Sequence, residues 1–255
     1  MRVVLLAMLF FSATFAGCFE DIPIVENHGV PGSLTLACLR NDVSSLVIEI
    51  DYSTGNAPTS GSIATLKSRL ASVCDKPGGI TVSSTATDFP HSGSWTADDV
   101  RASGHDTRET GPLTESGVLR WHIIFPAGKY TDESVLGVAV DASTIAIFQD
   151  SVDEAEGFLG RPSRDDVEKA VMVHEIGHLL GLVNLVYESP FSHEDSEHPG
   201  HSDNEDSVMY WAVETIGINQ FITGDIPDDF DEDDRADLAG LADGSITARE
   251  QIHAS

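Results

Sequence analysis

Apolar and polar positions along this 255-residue chain change period several times, and each change marks an element. Residues 45–52 alternate and are rich in β-branched side chains (Val47, Ile48, Ile50), which predicts a strand. Over 63–73 the apolar positions Ile63, Leu66, Leu70 and Val73 fall at helical spacing, with Lys67 and Arg69 between them. The turn-formers at 75–79 end that helix, and 80–84 reads as a second strand. Strand, helix and strand in this order predict a parallel pair with a crossover helix. From 85 to 117 the chain is polar and turn-rich, a long surface loop with one short helix near 97–102. Residues 118–125 predict a strand that Pro126 breaks. Two more strands, 135–140 and 145–148, are joined tightly by Asp141, Ala142 and Ser143. They read as a hairpin whose outer member is a sheet edge.

Ser163 opens the strongest helix signal. Asp165 and Asp166 fall in its first turn, where they suit the positive helix end. The apolar set Val167, Ala170, Val171, Val173, Leu179 and Leu180 carries it to Gly181, and 233–241 reads as a closing helix. Residues 18–44, with turn-formers at Pro23, Gly29, Pro31 and Gly32, are expected to form a tether and N-terminal cover ahead of one domain over 45–255. No internal repeat or low-complexity linker divides that domain.

Charge narrows the partners. Fourteen Lys and Arg against 42 Asp and Glu leave a net charge of -28. Such a chain repels phosphate backbones, so nucleic acid is excluded as a partner. The densest acidic run, 228–234, lacks the glycine and terminal Glu of an EF-hand loop and reads as a solvated surface. Residues 1–17 read as a signal peptide: Arg2, an apolar run over 3–11, then small residues up to Cys18. The Ala16-Gly17-Cys18 ending resembles a lipoprotein box, although Phe15 stands where Leu is usual. That resemblance implies lipidation of Cys18 and a place on the outer face of the cell membrane, held by the lipid alone; plain secretion is the alternative. Export also suits a disulfide between the remaining cysteines, Cys38 and Cys74.

The chemistry concentrates at 173–184. His174 and His178, four apart on a helix, present both imidazoles on one face, where they can hold one Zn²⁺. Glu175 is rotated about 100° from His174, out of the ligand row but within reach of a water at the metal. It is the candidate general base. Gly181, three residues after His178, can take the positive φ that turns the chain sharply out of the helix.

His-Glu-x-x-His-x-x-Gly, followed by Ser207-Val208-Met209-Tyr210, resembles the metzincin metallopeptidases. The resemblance implies a zincin-like α/β fold with a twisted mixed sheet, an active-site helix and a smaller C-terminal lobe. It implies one catalytic zinc, a peptide or protein substrate paired along a sheet edge, and Met209 as an apolar floor beneath the histidines. The family's third-ligand position directly after the glycine holds Asn184, a poor zinc ligand. Downstream lie His193, His198 and His201. His201-Ser202-x4-Ser207-x-Met209 keeps the spacing of the archaemetzincin His-Cys-x4-Cys-x-Met, with Ser for both Cys. His201 is therefore the assigned third ligand and 182–200 an insertion; His198 and then His193 are the alternatives. The other histidines of the insertion are read as loop residues, with a weak accessory metal site as the alternative, and the missing cysteines leave no place for that family's second structural zinc. A different class, a non-catalytic zinc-binding surface lipoprotein, is suggested by the His-rich stretch; Glu175 argues against it.

Overall fold

The structure is a computed structural model that describes residues 28–113, 117–156, 162–215 and 226–253. Cys18 and the signal-like segment lie outside them.

Helix α1 (Thr35–Leu39) is followed by β1 (Ser45–Tyr52), α2 (Ser60–Val73), β2 (Gly79–Ala86), β3 (Gly93–Trp95), α3 (Ala97–Thr107) and β4 (Val118–Phe125). Then come β5 (Gly128–Tyr130), β6 (Gly137–Ala139), β7 (Thr144–Ile147), α4 (Gln149–Glu154), α5 (Arg164–Leu179), a single 3-10 turn (Trp211–Glu214) and α6 (Glu232–Asp243). Five strands form one sheet in the order β2-β1-β4-β7-β6. All neighbours are parallel except β6, which runs antiparallel to β7 at the edge. The protein is thus mixed α/β with a mostly parallel sheet.

Alternation along the strands builds two cores. Ile48, Ile50, Ile123, Ile145 and Ile147 face the main core with α2 and α5. Their neighbours Ile124, Ala146 and Phe148 turn to the opposite face and pack with Trp95 and Val100, which lead into and lie on α3. The centre of α5 is enclosed all round: every residue from Ala170 to Leu179 is buried. Its start is capped by Ser163, whose hydroxyl accepts the Asp166 N–H at 3.2 Å.

Two expectations need correction. Residues 28–44, expected as a tether and N-terminal cover ahead of the domain, pack into it. Leu34, Ala37, Cys38, Leu39 and Val43 are buried in the main core, and Cys38 is disulfide-bonded to Cys74 just past α2. This much apolar surface is more stable packed than solvated. The stretch 85–117 is more than a loop with a short helix. Trp95 donates its indole N–H to the Ala127 carbonyl at 2.9 Å, β3 pairs with β5, and a Thr96–Asp99 capping box starts an eleven-residue helix. Local polarity hid the full length of that helix because few of its residues are buried.

Candidate metal centre

Helix periodicity sets the first two imidazoles. His174 and His178 stand on one side of α5 with ring centroids 4.8 Å apart and Nε2 atoms 3.1 Å apart. Gly181 then takes φ +82°, and a Cβ there would lie 2.6 Å from Val186 Cγ2, so both backbone and space demand glycine. The N-terminal segment braces this exit, with Gly32 packed directly on Gly181. After the insertion the chain returns beneath the helix. The Ser202 N–H donates to the Met209 carbonyl at 2.9 Å, and this fixes His201 beside its partners, 5.2 Å from the His174 ring and 5.1 Å from that of His178.

These residues fit a metal ion. His174 Nδ1 donates to the Val208 carbonyl at 2.7 Å, and His178 Nδ1 to the Leu182 carbonyl at 3.3 Å. A carbonyl only accepts, so the proton sits on Nδ1 and the Nε2 lone pairs face each other. Burial pushes the His174 pKa down to about 4, so the ring is neutral. Neither nitrogen of His201 makes a hydrogen bond, although both are buried. Opposed lone pairs in a closed space call for a shared cation.

Glu175 packs against the edge strand. It is fully buried and its carboxylate oxygens lack hydrogen-bond partners. A Cβ at Gly137 of β6 would stand 2.7 Å from Oε1, so the absence of a side chain there makes room for the acid. Burial first, and then the charge of Glu214, push the Glu175 carboxyl well above the usual carboxylate range. Met209 is buried under α5: a Cβ at Gly177 would lie 2.1 Å from its sulfur. It is held by a 207–210 turn in which Tyr210 N–H donates to the Ser207 carbonyl and Met209 N–H to the Ser207 hydroxyl.

One residue at the centre escaped the sequence reading. Glu214 closes the 3-10 turn after Met209 and brings its carboxylate 3.2 Å from His201 Nε2, 3.5 Å from His174 Nε2 and 3.9 Å from His178 Nε2. Nothing in the local pattern marks it; only its nearness in sequence to Met209 offers a signal.

The remaining candidates lie apart. Asn184 organises the insertion: its amide donates to Glu194 at 2.8 Å and its carbonyl accepts the Ser189 N–H. His198 stacks on Trp211 and bonds Asp195. His193, read as a loop residue, is instead buried, its Nε2 3.0 Å from Asp237. A histidine flanked by carboxylates of α6 loses little on burial because the charge is compensated. Nor is the acidic run purely solvated: Asp234 is buried and accepts from the Ser207 hydroxyl at 2.7 Å. His193, Asp231 and Asp234 form a second group with metal-ligand spacing, and Glu49, Asp51 and His122 a third. In the third group, His122 is already engaged by Asp51 and the Gly104 carbonyl.

No protein-family model matches the chain, and no curated protein matches it. Among solved structures, the fold is similar to an archaemetzincin from Methanopyrus kandleri, at 12% identity and a TM-score of 0.51, over 77% of this chain and 94% of that one. An archaemetzincin from Archaeoglobus fulgidus, solved with malonate, aligns at 14% identity and a TM-score of 0.42, over 75% of this chain and 99% of that one. At these identities the likeness is one of fold.

Proposed function

We propose that the protein is a zinc-dependent endopeptidase, with His174, His178 and His201 as metal ligands and Glu175 as general base. The observation that carries this reading is the pairing of two features on one helix turn. Three imidazoles converge on a point, while the next side chain along, Glu175, faces the edge strand that can receive a peptide. A bound Zn²⁺ would supply a Lewis acid for the scissile carbonyl and lower the pKa of water beside it.

The chain's own residues do the rest. The outer edge of β6 offers backbone groups to an extended peptide, which aligns one carbonyl with the centre. Glu175 takes the proton of the attacking water and returns it to the leaving amine. Gly137 leaves space for the carboxylate beside the edge strand, and Met209 packed on Gly177 closes the floor beneath.

Export as a lipoprotein through Cys18, with removal of residues 1–17, belongs to the same proposal. The Cys38–Cys74 disulfide supports an oxidising compartment. Among the described residues no helix is long and apolar enough to cross a membrane. The second reading, a zinc-binding lipoprotein without catalysis, draws support from Glu214, which stands where an attacking water would need to be.

The test is digestion of a mixed peptide library by the purified protein at low and high salt. Cleavage that a chelator abolishes, and that Glu175→Ala lowers by at least about a hundredfold, supports the peptidase. Folded, zinc-loaded protein that cuts neither the library nor an unfolded protein substrate in either salt supports the binding protein.

A further inference from the structure

Glu214 is placed by two independent parts of the fold. The 3-10 turn after Met209 delivers its side chain to the three imidazoles, and the sheet edge holds its backbone. Leu136 N–H donates to the Glu214 carbonyl at 2.8 Å, and Val135 and Thr215 form an antiparallel bridge. The chain's own 214–215 segment therefore lies along the edge just before β6, in the line an incoming peptide strand would take.

Geometry at the centre matches a ligand better than a hydrogen-bond partner. Four atoms about 2.0–2.2 Å from a tetrahedral ion sit roughly 3.3–3.5 Å from one another. The two helix Nε2 atoms are 3.1 Å apart; Glu214 Oε2 lies 3.5 Å from His174 Nε2 and 3.9 Å from His178 Nε2, and its Oε1 lies 3.2 Å from His201 Nε2. His201 Nε2 is 3.2 Å from Glu214 Oε1 yet makes no hydrogen bond. One ligand atom from each of the four residues lies within 4.8 Å of the others.

We propose that Glu214 is a fourth, intramolecular ligand of the centre, and that the 211–215 segment keeps the protein in a self-inhibited resting state. The inference rests on the reading of His174, His178 and His201 as metal ligands. With the fourth corner occupied, the site has the closed coordination of a structural metal site and no opening for water next to Glu175. A peptide that pairs along β6 and displaces the 214–215 strand releases the carboxylate and opens that corner. Substrate binding and activation are then one event, and short peptides that cannot displace the strand are poor substrates.

The experiment uses the full chain loaded with Co²⁺ in place of zinc, with acetohydroxamate as a probe of the fourth position. The wild type, E214Q and E214A are compared by visible absorption, by hydroxamate affinity and by metal affinity, with circular dichroism as the check on folding. The proposal expects the visible bands to differ between wild type and both variants before any probe is added. It expects both variants to bind hydroxamate at least about tenfold more tightly. Metal affinity should fall by no less than the roughly 10–100-fold that losing an outer-shell partner costs. If E214A unfolds, E214Q keeps the size of the side chain and gives the same readings. Identical spectra and equal hydroxamate affinity in all three proteins overturn Glu214 as a ligand while leaving the metal centre standing. A wild type that takes up no Co²⁺ overturns both this inference and the centre itself.

Discussion

Gly177 sits between the two helix histidines, and replacing it with alanine separates two opposing effects. In a helix interior, Ala is more favourable than Gly by about 1 kcal/mol. Here, however, the added Cβ would stand 2.1 Å from Met209 Sδ, 3.0 Å from its Cε and 3.4 Å from Phe230 Cε1. Normal contact between such atoms is about 3.5–4.0 Å, so the thioether must move by more than an ångström. It has little room to do so, because Met209 is fully buried and its backbone is tied to Ser202 and Ser207. Overpacking of this kind costs about 1–3 kcal/mol, which cancels or exceeds the helix gain. Gly177→Ala is therefore expected to be neutral to about 2 kcal/mol destabilising in urea denaturation. The same change made in a Met209→Ala background meets no clash and should stabilise by about 1 kcal/mol. The double-mutant cycle then gives a coupling of roughly 1–3 kcal/mol. A coupling below about 0.5 kcal/mol, with Gly177→Ala stabilising equally in both backgrounds, refutes the packing of Met209 under the helix.

Removing the Cys38–Cys74 bond, which spans 36 residues, should cost about 4 kcal/mol; C38S/C74S and reduced wild type should lose similar stability in urea. Asp234, pushed up to about 6 by burial and by Asp231, has a folded pKa above its unfolded value. Its favourable contribution is thus present below about pH 4 and is lost as pH rises through 6. Asp234→Asn should remove that loss, gaining up to about 3 kcal/mol at pH 8 relative to pH 4. A difference between wild type and variant that does not change with pH would show that the buried carboxylate is not the cause. For the metal centre, zinc titration should show strong loss of affinity in His201→Ala and near wild-type affinity in His198→Ala; the reverse order would move the third ligand to the insertion.

The residues of α5 were legible because a helix is a local object. Period, an N-cap serine and a four-residue histidine spacing place His174, Glu175 and His178 without knowledge of anything else in the chain. Strands β1, β2 and β4 were legible for the same reason, since their alternation is written in eight-residue stretches. The closing helix was legible too, although its acidic start was misread as purely solvated. Asp231 and Asp234 form its capping box, and only one of them reaches the interior.

Tertiary structure alone decided what depends on where a loop returns. His193, His198 and His201 lie within nine residues of one another, and the spacing to Met209 singled out His201 before the loop's path was known. Backbone pairing between Ser202 and Met209 brings His201 to the centre, while Asp237 and Trp211 hold the other two elsewhere. Glu214 reaches the same point through pairing of its backbone with Leu136, nearly eighty positions away, and no period of hydrophobicity encodes such a contact. Residues 28–44 became core because α6 and the exit of α5 form a surface for them to cover, which neither segment shows in isolation. Helix spacing, a property of a few consecutive dihedrals, thus placed two imidazoles and an acid. Long-range strand and turn pairing placed the third imidazole and the carboxylate that faces all three.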